Sequence, residues 1–167
     1  INLNTNYLNN IGSTWSNLIE DTTWKVSGKA SKNTTDSVIP KAMYTAEITN
    51  ATKTYGPENG TSKIGLMYAS DYGFAADPSA WTTTLGQYQS EREKNWMYMG
   101  IADYSITYIP SSSGDNGSEN MGVNMYGDVG LGSDLDGGSP VRPTFSLLPT
   151  ITYKSGSGTP ADPIRIN

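Results

Sequence analysis

The chain has neither cysteine nor histidine among its 167 residues. Without cysteine there are no disulfide staples, thiol nucleophiles, thiolate metal sites or thiol redox chemistry. Without histidine it lacks the side chain that ordinarily titrates near neutrality and the commonest transition-metal ligand, which removes most general-base and zinc mechanisms. Charge is scarce as well. Charged residues make up 16% of the chain and the formal net charge is −5, so no basic field draws in a phosphate backbone or an anionic bilayer, and nucleic acid is not an expected partner. No apolar run approaches the ~20 residues that span a bilayer, and no charged-then-apolar leader opens the chain; membrane insertion by this segment is not expected.

What is present is a chain rich in Gly, Ser, Thr, Asn and Tyr with 35% hydrophobic residues. Its length suits one domain, with apolar mass gathered in a few clusters and much of the surface in loops. Low charge with many hydroxyl and amide side chains gives an expectation of an extracellular protein. The chain opens at Ile1 inside an already periodic segment, which suggests a mature or excised piece of something longer.

Leu3, Tyr7, Leu8, Ile11, Trp15, Leu18 and Ile19 fall at helical spacing and predict one amphipathic helix, or two short ones broken at Gly12 with Ser13 as a cap. Thr22 to Val26 alternates around Trp24 as a short strand does. A second helix is predicted after Pro40, through Met43, Tyr44, Glu47 and Ile48. Lys63 to Tyr68 has the apolar density of a buried strand, and Ser70 and Asp71 then read as a helix start that turns Tyr72, Phe74 and Ala75 inward. Asp77 to Lys94 reads as irregular, with the charges Glu91, Arg92, Glu93 and Lys94 on a solvated face. Asn95 to Met99 and Tyr104 to Ile109 alternate as half-buried strands. Met121, Val123 and Met125, then Val129 and Leu131, predict a hairpin turning near Gly127 and Asp128. Val141 to Leu148, Ile151 to Tyr153 and Pro163 to Ile166 supply closing strands around the turn Ser155 to Thr159.

Several of these segments occur in a familiar order: KIGLMYASDYGFA from Lys63 to Ala75, NWMYM from Asn95 to Met99 and VRPTFSL from Val141 to Leu147. LNTNYL from Leu3 to Leu8 and TTWKV from Thr22 to Val26 precede them, and GTPADPI from Gly158 to Ile164 closes the chain. Together they resemble a family of Gram-positive bacterial surface and pilin-associated domains, over nearly the whole chain from about Leu3 to Ile166. The resemblance implies an α+β, C-type-lectin-like fold distantly similar to the formylglycine-generating enzymes, in which short helices pack on small, twisted, mostly antiparallel sheets with long loops. It also implies one extracellular module over residues 1–167, the C-terminal part of a longer surface protein. Fold resemblance does not carry chemistry with it. The cysteine, copper or histidine sites of enzymes in that wider group have no counterpart here, nor do the calcium-binding sugar motifs of C-type lectins.

Among candidate sites, the Gly-rich segment Gly114 to Ser139 carries Asp115, Glu119, Asp128, Asp134 and Asp136. Oxygen-rich flexible loops of this kind can chelate calcium, so Asp115, Asp128, Asp134 and Asp136 are the candidate ligands. Against this stands the absence of a downstream bidentate glutamate, and acidic glycine-rich loops are usually only solvated turns. The aromatic residues Trp81, Tyr88, Tyr104 and Tyr108 are candidates for a stacking surface or an interface anchor, with Trp81 the best exposed of them. Trp24, Trp96 and Arg142 are assigned structural roles: strand alternation puts Trp96 and Tyr98 on one face and Met97 and Met99 on the other, and the five donors of Arg142 suit loop carbonyls or a carboxylate. The carboxylate pairs Glu91 with Glu93 and Asp134 with Asp136 lack apolar neighbours to raise one pKa, so glycosidase-like hydrolysis ranks last.

These readings converge on a non-enzymatic, secreted binding or adhesion module of a bacterial cell surface. Its loops from Asp77 to Lys94 and from Ser111 to Ser139 would present the binding surface. The expected partner is a host or cell-surface protein or glycan. The alternative is a structural subunit or tip of a pilus-like filament, whose partner is a copy of itself.

Overall fold

A computed structural model describes residues 2–25, 37–49, 59–100, 104–105, 120–132 and 140–167. The protein is α+β, with few short helices and small antiparallel sheets that do not close. In chain order, a π-type turn (Leu3–Tyr7) leads into α1 (Leu8–Ser16), followed by β1 (Thr22–Lys25), α2 (Pro40–Tyr44) and its π-type continuation (Thr45–Thr49). Then come β2 (Asn59–Ser62), β3 (Gly65–Leu66), α3 (Ala69–Phe74) and two 3-10 stretches, Pro78–Ala80 and Leu85–Lys94. The strands β4 (Tyr104–Ser105), β5 (Asn120–Val123), β6 (Val129–Gly132), β7 (Pro143–Thr144), β8 (Tyr153–Ser155) and β9 (Arg165–Ile166) complete the described chain. No described helix is long and apolar enough to cross a membrane.

Two compact units form, each from separated stretches: one from Ile1–Thr22, Thr61–Ile64 and Phe145–Asn167, the other from Thr23–Gly60 and Gly65–Thr144. In the first, helix α1 carries the predicted break, with Gly12 at φ 78° and ψ 165°. Asn4 does the work of a strand partner with its side chain: its Nδ2 donates to the Ile64 carbonyl at 2.8 Å and its Oδ1 accepts from the Ile64 N–H at 2.8 Å. The Lys63 ammonium donates to the carbonyls of Ser16, at 3.2 Å, and Ile19, joining the last carbonyl of α1 to the segment that follows it. Ile19 bridges to Leu147, and the Glu20 N–H and Leu148 N–H donate to Ser146 and Leu18, both at 2.9 Å. Asp162 shapes the terminal turn by accepting from the Ser157 N–H at 2.9 Å and pairing with Arg165 at 3.0 Å. Its partners, Arg165 first, hold its carboxyl below the ordinary range.

The second unit contains the main core: Met43, Met67, Ala69, Tyr72, Ala76, Ala80, Leu85, Tyr88, Val123 and Val129 are all buried. Pro40 opens α2 at the first helical position, where its missing N–H costs nothing and its fixed φ fits the helix. Met43 and Glu47 follow at helical spacing, and both are buried. Asp71 starts α3 by accepting the Tyr68 N–H at 3.0 Å, and the i, i+3 pair Ala69 and Tyr72 then faces the core. The β5–β6 hairpin forms as predicted, with Val123 opposite Val129 and Met121 opposite Leu131. Gly127 takes φ 97° in its turn, a conformation that favours glycine. Strand β3 pairs with β7, Gly65 opposite Thr144. Gly65 leaves room for the Trp24 indole, since a Cβ there would lie 2.6 Å from the ring; Trp24 itself is buried.

Several expected elements are shorter or different. Asn95 to Met99 is not a strand: Asn95 makes an isolated bridge to Ala76 and the chain then turns at Trp96 and Met97. Trp96, assigned a structural role on one face of the expected strand, is instead 78% exposed. The anchor is its neighbour Asn95, whose Nδ2 donates to the Tyr72 carbonyl at 2.9 Å while its Oδ1 accepts from the Met97 N–H at 2.9 Å. Phe74 points outward, because the face of α3 is set by Ala69 and Tyr72 and position 74 falls off it. Of Lys63 to Tyr68, only Gly65–Leu66 is strand. Of Val141 to Leu148, only Pro143–Thr144 is. Asp77 to Lys94 is ordered as 3-10 turns rather than irregular. Val26, the loop from Ser27 to Asp36 and the strand residues Ile106 to Ile109 lie outside the described residues.

Glu47 is 3% exposed, and its two carboxyl oxygens accept the N–H groups of Ala69 at 2.9 Å and Ser70 at 3.2 Å. Burial outweighs those bonds and raises its pKa from 4.5 to about 7. Because the folded value lies above the unfolded one, the stabilisation is complete below pH 4.5 and is lost as pH rises through about 7. The shift corresponds to on the order of 3 kcal/mol. Urea unfolding at a series of pH values should show that decline, and Glu47→Gln should remove it; equal slopes in both proteins would contradict the assignment.

Candidate functional site

The 3-10 stretch Leu85–Lys94 and the β5–β6 turn are both tied to the core of the second unit. On one side Leu85 and Tyr88 are buried, with the Leu85 N–H donating to the Val38 carbonyl at 3.0 Å. The Tyr88 hydroxyl donates to the carbonyls of Gly73 at 3.0 Å and Ala80 at 3.3 Å. On the other, Asn124 organises the turn: its Oδ1 accepts from the N–H groups of Tyr126 at 2.9 Å and Asp128 at 3.0 Å. The Tyr72 hydroxyl donates to the Gly127 carbonyl at 3.0 Å. Asp128 joins the two segments, accepting the Gln89 N–H on Oδ1 at 2.6 Å.

An open recess of about 500 Å³ lies where they meet, lined by Gly86, Gln87, Gln89, Ser90, Arg92 and Asp128. Apart from the glycine, every lining side chain is polar. Several are held in place by neighbours. Gln87 Oε1 accepts from the Thr84 hydroxyl at 3.1 Å, and the Ser90 hydroxyl donates to the Gln87 carbonyl at 3.0 Å. The Arg92 guanidinium sits 5.9 Å from the Tyr98 ring centroid, a cation–π distance, and Tyr98 in turn donates to the Met125 carbonyl at 3.1 Å. Glu91 pairs with Lys94 at 2.9 Å, which holds its carboxyl below the ordinary range, and Glu93 pairs with Arg92 at 3.3 Å. The Glu91 and Glu93 pair is therefore occupied by salt bridges.

The first unit carries a second concavity of different character. Tyr7, Ile11, Trp15, Ile19, Phe145 and Leu147 line an apolar groove of about 460 Å³. Trp15 is 55% exposed beside it.

The sequence-derived site residues distribute as follows. Asp128 lies in the polar recess. Asp115, Asp134, Asp136 and Tyr108 lie outside the described residues, and of Tyr104 the structure describes only the backbone, in β4. No group of three potential metal-ligating side chains occurs among the described residues. Tyr88, expected in a stacking surface, is instead fully buried, because the core closes over its ring and its hydroxyl is spent on Gly73 and Ala80. Trp81 keeps partial exposure. Its Nε1 donates to the Ala76 carbonyl at 3.0 Å and its ring meets Phe74 edge-on at 5.2 Å. Arg142 donates to the Met97 carbonyl. Gln87, Gln89 and Ser90 carried no sequence signal as site residues. Arg92 was read as part of a solvated cluster. The bond that gathers them, Gln89 to Asp128, spans 39 residues and is invisible to local pattern.

Asp128→Ala removes the acceptor for the Gln89 N–H at the surface. It should cost about 1 kcal/mol in thermal unfolding while leaving the spectroscopic signature of the buried tyrosines unchanged; a larger loss with a collapsed core signal would assign Asp128 to the core instead. Comparison with known protein families, curated proteins and solved structures finds no match.

Proposed function

We propose that this chain is a non-enzymatic binding module of a bacterial cell-surface protein, acting outside the cell, with a fold related to the C-type-lectin-like group. The observation that carries the reading is the polar recess. It is built from the 3-10 stretch Leu85–Lys94 and the β5–β6 hairpin turn, each tied to the core by a buried tyrosine, so that recognition groups are presented on a rigid scaffold. The motif order from Lys63 to Ile164 supports the surface-protein assignment. In this reading the KIGLMYASDYGFA segment serves the scaffold: Gly65 accommodates Trp24, Asp71 starts α3, and Tyr72 reaches the hairpin turn.

A second reading, a subunit of a pilus-like filament, is favoured by the apolar groove along α1. Exposed aromatic surface of that kind is suited to burial against protein, here a second copy of the chain. Concentration-dependent association that Trp15→Ser abolishes would move the assignment to it.

The first reading predicts that the labelled full chain binds intact host cells or extracellular-matrix preparations saturably. The double variant Gln87→Ala, Asp128→Asn should weaken that binding about tenfold or more, in line with losing polar contacts at a specific site. Blank binding to such surfaces by folded protein, or undiminished binding by the variant, would overturn it.

A further inference from the structure

We propose that the recess formed by residues 86–92 and Asp128 takes a neutral saccharide, and takes it without a metal ion. The inference rests on the reading of the chain as a binding module and names the ligand class of that same recess.

The lining side chains are two carboxamides, a hydroxyl, one guanidinium and one carboxylate. Sugar hydroxyls each donate and accept, so they are matched by closely spaced planar groups that supply both functions. Here the donors and acceptors are already committed in a way that leaves defined capacity. Gln87 Oε1 is occupied by the Thr84 hydroxyl, leaving the amide N–H groups to donate. Asp128 Oδ1 is occupied by the Gln89 N–H, and its Oδ2 has no hydrogen bond among the described residues, leaving that oxygen to accept. The Arg92 guanidinium is positioned over Tyr98. Holding these groups before the ligand arrives reduces the ordering cost that a weak polar ligand would otherwise have to offset.

Size and charge narrow the class. A volume of about 500 Å³ admits one or two hexose rings, and the open mouth admits the end of a longer chain. Arg92 is already paired with Glu93 and Asp128 carries a carboxylate, so the lining offers no uncompensated cation, on a chain whose net charge is −5. A phosphorylated or sulfated ligand therefore finds no excess of positive charge. A peptide anchored by large apolar side chains finds no aliphatic or aromatic side chain among the lining residues. The Asp128 N–H donates to the Asn124 side-chain oxygen and its carboxylate accepts the Gln89 N–H, so a direct carboxylate-to-hydroxyl bond takes the place of the cation that sugar-binding loops of other designs require.

Saturation-transfer NMR and calorimetry on the full chain, with glucose, galactose, mannose and N-acetylglucosamine and their short oligomers, test this in buffer containing EDTA. Sialyllactose serves as the charged comparator. At least one neutral sugar should bind with a dissociation constant on the order of 1 mM. Gln87→Ala and Asp128→Asn should each weaken binding about tenfold with the melting temperature retained. Asn at 128 keeps the oxygen that accepts from Gln89, so a folding failure is not built into that variant. No neutral sugar bound at about 50 mM, binding lost in EDTA, preference for sialyllactose, or undiminished binding by both variants would overturn the proposal. If the double variant abolishes surface binding while every neutral sugar fails, the saccharide assignment falls and the binding-module reading stands.

Discussion

Two buried phenol hydroxyls set the geometry of the larger unit. Tyr72 and Tyr88 are both fully excluded from solvent, with ring centroids 6.1 Å apart. Burying two such rings contributes several kcal/mol of hydrophobic stabilisation, but only if each hydroxyl finds a partner, because an unsatisfied buried O–H costs about as much as one ring gains. Tyr72 finds Gly127 and Tyr88 finds Gly73 and Ala80. Each bond therefore ties a helix or a 3-10 stretch to a backbone carbonyl elsewhere in the fold. Desolvation also pushes the Tyr88 phenol up to about 12, so it remains a donor across the accessible pH range. The walls of the recess inherit their positions from this pair. The turn at Gly127 hangs from Tyr72, and residues 86–92 flank Tyr88.

The same economy appears in the polar side chains that replace backbone partners. Glu47 supplies acceptors for the first N–H groups of α3, Asn95 ties the chain after the 3-10 stretch to α3, and Asn4 pairs with Ile64. A chain with so few regular strands leaves many backbone groups outside any ladder, and each buried one needs such a partner. The abundance of Asn, Ser and Thr in the composition is in part the chemical means of meeting that demand. In the segments Leu3 to Leu8, Lys63 to Ala75, Asn95 to Met99 and Gly158 to Ile164, the residues Asn4, Gly65, Tyr72, Asn95 and Asp162 each satisfy a specific backbone contact or a close approach.

Where the sequence was legible, a local rule was strong enough to stand alone. Pro40 marked a helix start, Asp71 marked another to within two residues, Gly12 marked a break, and the Val123 and Val129 pair flanking Gly127 marked a hairpin. Where it was not, long-range contacts overrode the pattern. Trp96 and Tyr98 alternate with Met97 and Met99 as strand residues do, yet no strand among the described residues pairs with them, and a turn anchored by Asn95 exposes the indole. Tyr88 read as surface because the 3-10 spacing of residues 85–94 buries Leu85 and Tyr88 at an interval of three, a period easily lost within a polar segment. Of the residues that form the recess, Asp128 was read as a calcium ligand and residues 86–92 only as part of a loop from Asp77 to Lys94; the glutamines and Arg92 carried no signal of their own, since only the folded contact between residues 89 and 128 brings them together.

The account depends on the Tyr72 hydroxyl holding the hairpin turn that closes the recess. Amide hydrogen exchange on Tyr72→Phe tests this most directly. The account predicts faster exchange at both Gly127 and Gln89, because loosening the turn also releases the Asp128 acceptor, with the Glu20 and Leu148 amides of the other unit unchanged. Protection at Gln89 equal to that of the native protein, in a variant that has lost its bond to Gly127, would contradict it.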